Sequence, residues 1–295
     1  MYRLLKSFAI LTSFGMLLVL LMGAVVTTTG SGEGCGNSWP LCYGEVLPSQ
    51  PELETMIEYS HRIVSAILGL MVITLALWSW KTFKKSREVK VLAILSVFFI
   101  IFQGLLGAAA VVWGQSSFAL ALHFGFSLIS FASVVLLTIV IYENEKGRVV
   151  LHIDRNFKWN IYLLFTYLYI LVYSGALVRH TKASLACSGW PLCNGQILPP
   201  TNELELIHYT HRIMAGLLFV WILLSYLQIR KYYRDIEPLY KSFSLLTILV
   251  SLQVLTGALI IFTKLNLFIA LMHGLFVSIL FATLSYLIMI LLRKS

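Results

Sequence analysis

The chain has 295 residues, 59% of them hydrophobic and only 12% charged. A water-soluble domain is nearer half apolar and a quarter charged, so there is too little charge here to cover a water-facing surface, and soluble enzymes, disordered chains and fibrous proteins are excluded. The formal charge of +9 would suit nucleic acid, but the basic residues sit in short loops between long apolar runs. No nucleic-acid partner is expected, and the chain belongs in a lipid bilayer.

Eight apolar stretches follow in chain order: Phe8–Thr28, Ser60–Trp80, Val89–Trp113, Phe118–Tyr142, Trp159–Val178, His208–Ile229, Phe243–Phe262 and Leu267–Leu292. Each reaches or nearly reaches the roughly 20 residues a bilayer core demands, and each must close its own backbone hydrogen bonds as helix. The first, flanked by Arg3 and Lys6, is too long for a signal h-region, and Met22-Gly23-Ala24-Val25-Val26 offers no small-x-small cleavage pattern. It is expected to be a retained helix. Seventeen of the 22 lysines and arginines fall in the N-terminus, the 81–90, 143–158 and 230–241 loops and the C-terminus. The positive-inside rule then places both termini on the cytoplasmic side of the cell membrane, with the loops 29–59 and 179–207 facing outward.

All four cysteines lie in those outward loops, as Cys35/Cys42 and Cys187/Cys193. Outside the membrane is an oxidising compartment, so two local disulfides are expected. Spacing leaves three roles open: a pair of loop staples, a redox-active pair if the bonds are short and exposed, or a zinc site, against which no histidine stands at finger spacing.

The chain also repeats itself. Trp39-Pro40-Leu41-Cys42-Tyr43-Gly44 recurs as Trp190-Pro191-Leu192-Cys193-Asn194-Gly195, and Tyr59-Ser60-His61-Arg62-Ile63 recurs 150 residues later as Tyr209-Thr210-His211-Arg212-Ile213. The same offset carries Gln103-x3-Gly107-Ala108 onto Gln253-x3-Gly257-Ala258 and His123 onto His273, while Gly23-Ala24 matches Gly175-Ala176. The predicted fold is therefore an all-α integral membrane protein of eight transmembrane helices, built as two parallel-repeat four-helix bundles, residues 1–148 and 149–295. A parallel repeat also occurs in transporters, so it does not by itself decide function.

Histidine inside a membrane helix is costly and usually functional. His152 falls in a loop and His180 just past the fifth span, where solvent accounts for them. His61/His123 and His211/His273 form repeated pairs, each a few residues inside the outer ends of two spans, roughly 5–10 Å deep at 1.5 Å per residue. Two imidazoles at one level of an apolar bundle suit the two axial positions of a heme iron. Arg62 and Arg212 follow their histidines and are candidates for heme propionates. The glycines Gly104, Gly107, Gly125, Gly257 and Gly274 would let a flat macrocycle approach, or serve only helix packing. Copper fits less well, since no Cys or Met lies at matched depth.

The halves differ three residues before the first histidine, where Glu58 stands against His208. Residues i and i+3 share a helix face, so Glu58 is expected beside His61, giving only one site a carboxylate for chemistry. The alternative is an acid that favours a helix N-terminus.

With these motifs in view, the sequence resembles the heme A synthase family, in particular the bacterial form with a cysteine pair in each outer loop. The resemblance covers the whole chain and rests on the two repeats, Thr29–Gly36, both Trp-Pro-Leu-Cys loops, Glu58-x-x-His61-Arg62, and His123, His211 and His273. It implies oxidation of the C8 methyl of heme O to a formyl group, giving heme A for terminal oxidases. It further implies His61/His123 as ligands of the substrate heme O, Glu58 as catalytic carboxylate, and His211/His273 as ligands of a resident heme b. The Cys35/Cys42 pair would bear on activity or heme O transfer, with Cys187/Cys193 its structural counterpart. Heme O synthase is the implied partner, and the electron partner is unknown. The rival readings are a membrane diheme b-type electron-transfer cytochrome with no substrate heme, and a transporter.

Overall fold

A computed structural model describes residues 2–49 and 51–293; Met1, the loop residue Gln50, and Lys294 and Ser295, which close the second half, lie outside it. Eight helices run in order: α1 (Tyr2–Thr29), α2 (Leu53–Thr82), α3 (Arg87–Trp113), α4 (Ser117–Lys146), α5 (Arg155–His180), α6 (Glu203–Tyr232), α7 (Glu237–Phe262) and α8 (Leu267–Leu292). All eight are long and apolar enough to cross a membrane, and no strand occurs among the described residues. The protein is an all-helical, multi-pass membrane protein.

Several helices begin well before the apolar stretch that predicts them. α2 starts at Leu53 rather than Ser60 and α6 at Glu203 rather than His208, because hydropathy marks the lipid-immersed part while the backbone goes on coiling into the interface. Polar caps set the starts instead. The side chains of Ser86, Asp154, Asn202 and Asn266 accept from backbone N–H groups in the first turns of α3, α5, α6 and α8, and Pro238 sits in the first turn of α7, where no N–H is needed. Inside the spans, hydroxyls donate back to carbonyls one turn earlier, as Thr12 does to Phe8 at 2.7 Å and Thr27 to Gly23 at 2.9 Å, which keeps these hydroxyls paired away from water. Leu70, Leu105 and Phe268 are more than half exposed, and an apolar surface of that kind is the face a bilayer covers.

The chain divides into two compact units, Met1–Arg148 and Val149–Ser295. In the first, α1 packs on α2, α2 on α3, α3 on α4 and α4 on α1, a closed ring in which α2 and α4 are diagonal. Ser13 on α1 and Thr138 on α4 share a hydrogen bond of 2.8 Å. The second unit repeats the ring with α5 to α8, leaving α6 and α8 diagonal. There Trp221 of α6 donates to Asn160 of α5 at 2.7 Å, and Asn160 donates to Ser225 at 3.0 Å. Short antiparallel connections make the two diagonal helices of each ring start at the same end, the end that carries the long cysteine loop.

Candidate functional site: two histidine pairs beneath disulfide loops

The cysteine loops come first, because they position everything below them. Cys35 bonds to Cys42 and Cys187 to Cys193, and no described cysteine is free. That removes the zinc alternative. All four side chains are buried, so the exposure on which a redox-active reading depended is missing. Each pair closes a turn: Cys42 and Glu45, and likewise Cys193 and Gln196, face each other across a tight reversal. The central residues are Tyr43-Gly44 and Asn194-Gly195, all with positive φ, the geometry of a two-residue hairpin turn.

The repeated Tyr-x-His-Arg segment divides its labour by helix face. Tyr59 donates to the Val46 carbonyl and Tyr209 to the Ile197 carbonyl. Arg62 donates from one terminal nitrogen to Ser38 O at 2.7 Å and Leu41 O at 2.8 Å. Arg212 donates to Gly189 O at 2.6 Å, Leu192 O at 3.1 Å and Cys187 O at 3.0 Å. The two arginines, expected at heme propionates, clamp the loops through these bonds, and Arg212 Nε is buried with no partner among the described residues. The sequence put them at the right end of the helix, but loop carbonyls a few residues from a cation are equally good acceptors.

Glu58 is held on the same side. Its Oε2 accepts from the Cys35 N–H at 2.8 Å and its Oε1 from Arg62 Nε at 3.0 Å, and the residue is only 4% exposed. Spacing put it on the face of His61; its hydrogen-bond partners come from the loop and from Arg62. The helix-start alternative fails, because the first-turn acid of α2 is Glu54. Gly34 lets the loop lie this close: a Cβ there would stand 2.5 Å from the Glu54 carbonyl, and Thr55 donates to Gly34 O at 2.6 Å. In the second unit His208 fills the Glu58 position; it is buried, and its Nδ1 has no partner among the described residues.

Below the loops lie the histidines. His61 is eight residues into α2 and His123 six into α4, with His211 and His273 at the same steps of α6 and α8. At 1.5 Å per residue these are depths of about 12 Å and about 9 Å along diagonal helices. Each imidazole rests on a glycine of the neighbouring helix. A Cβ added at Gly23 would lie 3.3 Å from Cε1 of His61, at Gly107 3.1 Å from that of His123, at Gly175 2.9 Å from that of His211, and at Gly257 3.5 Å from that of His273. Of the glycines proposed from the sequence, Gly107 and Gly257 thus lie against a histidine ring, whereas a Cβ at Gly104 meets nothing within 4 Å.

Hydrogen bonds orient three of the four rings. His123 Nδ1 lies 2.7 Å from the Gln103 carbonyl, which can only accept, so Nδ1 carries the proton. His211 Nδ1 lies 2.8 Å from Ser174 Oγ, whose own hydrogen goes to Leu171 O. His273 Nδ1 lies 3.0 Å from Thr256 Oγ1, whose hydrogen goes to Leu252 O. In each case Nδ1–H donates and Nε2 is left with its lone pair, the arrangement by which a metal-ligating histidine is oriented and made more basic. Sequence reading did not single out Ser174 or Thr256. Their signal was the position next to a repeated glycine.

No group of three or more His, Cys, Asp or Glu among the described residues could hold a bare metal ion. Two imidazole lone pairs from diagonal helices suit instead a metal that brings its own equatorial ligands, as an iron porphyrin does, and the glycine cradles and Nδ1 anchors fit that group.

The fold and these sites define a membrane protein of two equivalent four-helix bundles, each with one histidine pair beneath a disulfide-closed loop. Comparison with known proteins gives the family. The model of the COX15-CtaA family, described as cytochrome oxidase assembly protein, matches residues 6–285, and the chain belongs to that family. It is 49% identical over its full length to the heme A synthase of Alkalihalophilus pseudofirmus, whose whole length is covered. Identity to the heme A synthase of Halalkalibacterium halodurans is 51%, over 100% of this chain and 99% of that protein. To that of Geobacillus kaustophilus it is 49%, over 99% and 93%.

Proposed function

We propose that this chain is an oxidoreductase of heme biosynthesis, a heme A synthase that converts the C8 methyl group of heme O to a formyl group. Full-length similarity to relatives of that name supports the reaction. The observation that carries the site assignment is the doubled cradle, in which each imidazole abuts a glycine on the next helix of its bundle. His61 and His123 hold the substrate heme O, and His211 and His273 hold a resident heme b. The iron porphyrins supply the redox chemistry of a four-electron oxidation, while the protein supplies orientation, electrostatics and exclusion of water. Glu58 is the carboxylate available to accept a proton as the methyl group is oxidised, and its place is taken by His208 in the other bundle, which gives the two bundles different work. The Cys35–Cys42 and Cys187–Cys193 bonds staple the loops that cap the sites. Both termini face the cytoplasm, the caps face outward, and heme O synthase within the same membrane supplies the substrate.

Extraction and chromatography of the porphyrins from purified protein test the reading. Cells that make heme O should yield protein with heme b together with heme O or heme A, and purified protein given heme O should form heme A. Recovery of two equivalents of heme b alone, with no conversion, would make the chain a plain diheme cytochrome. Absence of any porphyrin would return it to the transporters.

A further inference from the structure

The four imidazoles occupy equivalent cradles, but they are not equally held. His123, His211 and His273 each have Nδ1 tied to a neighbouring oxygen. The Nδ1 of His61 is buried with no partner among the described residues. Its ring also sits differently on its glycine. A Cβ at Gly23 would meet Cε1 at 3.3 Å and Nε2 at 3.6 Å but not Nδ1, whereas at Gly107 it would meet Nδ1 of His123 at 3.5 Å and Nε2 only at 3.9 Å.

The cause can be read from the two repeats. Gly23 and Gly175 lie under equivalent histidines and set the register of α1 against α5. The residue before Gly175 is Ser174, the acceptor for His211; the residue before Gly23 is Met22, a thioether that accepts a hydrogen bond only weakly. One residue of difference leaves one ligand without its anchor.

We infer that His61 is the exchangeable ligand of the N-terminal bundle and His123 the permanent one. This rests on the reading that both hold the substrate heme. An imidazole whose Nδ1–H has an acceptor is oriented and is a stronger donor through Nε2, and loss of such a partner typically weakens metal binding by roughly ten- to a hundred-fold. A resident heme needs two anchored ligands, and the second bundle has them. A substrate heme must enter, react and leave as product. One firm ligand on α4 keeps it in register, and one unanchored ligand on α2, three residues from Glu58, lets go.

The test uses full-length protein in detergent, loaded with heme O and reduced, with carbon monoxide as the probe of an open iron position. His61→Ala should retain the substrate heme as a high-spin species held by His123, while His123→Ala should lose most of it. Met22→Ser restores the missing acceptor and should weaken carbon monoxide binding at the substrate heme by roughly ten- to a hundred-fold at unchanged heme content. Ser174→Met is the converse and should make the resident heme, inert to carbon monoxide in the parent protein, reactive toward it. The inference is overturned if His123→Ala keeps the substrate heme and His61→Ala loses it, or if neither Met22→Ser nor Ser174→Met changes carbon monoxide binding. If His61→Ala and His123→Ala both leave the heme O content unchanged, the ligand assignment itself falls and the inference with it.

Discussion

Glu58→Gln separates the hold that this carboxylate has on the loop from the catalytic role proposed for it. The wild-type group accepts one hydrogen bond from Cys35 N–H and two from Arg62, from Nε and a terminal nitrogen, each involving a charge and worth about 1.5–3 kcal/mol. Glutamine keeps one oxygen, which can serve Cys35 or Arg62; its NH2 then faces the other, donor against donor. The loop should therefore loosen by about 2–3 kcal/mol, which is felt locally and does not unfold the bundle. Loss of a positioned base costs about a hundred- to ten-thousand-fold in rate, or about 3–5 kcal/mol of barrier at 1.36 kcal/mol per decade. Arg62→Gln is the control, because it leaves the carboxylate on Cys35 N–H but removes the clamp on Ser38 and Leu41. Loop looseness is followed by hydrogen exchange of residues 31–48, and product by porphyrin chromatography. Glu58→Gln should accumulate unreacted heme O or a partly oxidised product although its loop is the less disturbed of the two. If Arg62→Gln loses as much heme A as Glu58→Gln, the carboxylate is an anchor and the base lies elsewhere.

The glycine cradles predict a graded series. Alanine should displace the imidazole most at Gly175, where Cβ would stand 2.9 Å from His211, less at Gly107 and Gly23, and least at Gly257, where 3.5 Å is ordinary contact. Gly257→Ala should therefore leave the heme b spectrum intact and gain the roughly 1 kcal/mol that alanine brings to a helix interior, while Gly175→Ala should shift or abolish that spectrum. On the surface of the second unit, the Tyr233 hydroxyl and the Phe157 N–H hold the Asp154 carboxyl below its ordinary range, and that carboxylate raises Tyr233 to about 12. The Asp154 contribution to stability is present above the unfolded value near 3.9 and is lost as pH falls through the lowered one; that of Tyr233 is present below about 10 and is lost as pH rises through about 12. Asp154→Asn should return Tyr233 to about 10 in a ring-carbon NMR titration, and an unchanged midpoint would remove the pairing.

The sequence made the spans legible because a bilayer imposes one length and one polarity on any helix that crosses it. It made the histidines legible because imidazoles at a 150-residue repeat have no packing explanation. What stayed hidden depended on distance in space. Arg62 looked free for a propionate because nothing along the chain says that the Ser38 and Leu41 carbonyls return to it. Glu58 looked like a partner of His61 because helix periodicity reports a face, whereas a Cys35 N–H brought in by the loop decides where the carboxylate points. Ser174 and Thr256 were invisible as imidazole acceptors because a hydroxyl in a membrane helix bonds to its own carbonyl by default, and only the facing ring shows that the same oxygen has a second use.

The duplication also explains why the two bundles differ where they do. The features that build a bundle with two facing imidazoles occur in both: the glycine under each ring, the arginine that clamps the loop, the disulfide that closes it. Exchanging these would damage either half, whatever heme it held. The differences lie one interaction further out, at Met22 against Ser174 and at Glu58 against His208. Neither removes the glycine under a ring, yet each changes the polar partners beside it. The first leaves His61 without the acceptor that His211 has; the second puts an acid tied to Cys35 N–H where the other bundle has a histidine whose Nδ1 is buried with no partner among the described residues. The first loosens the N-terminal site, and the second makes it more acidic than its copy. On the proposed assignment, a resident heme gains nothing from either, whereas a heme that is bound, oxidised and released is served by both.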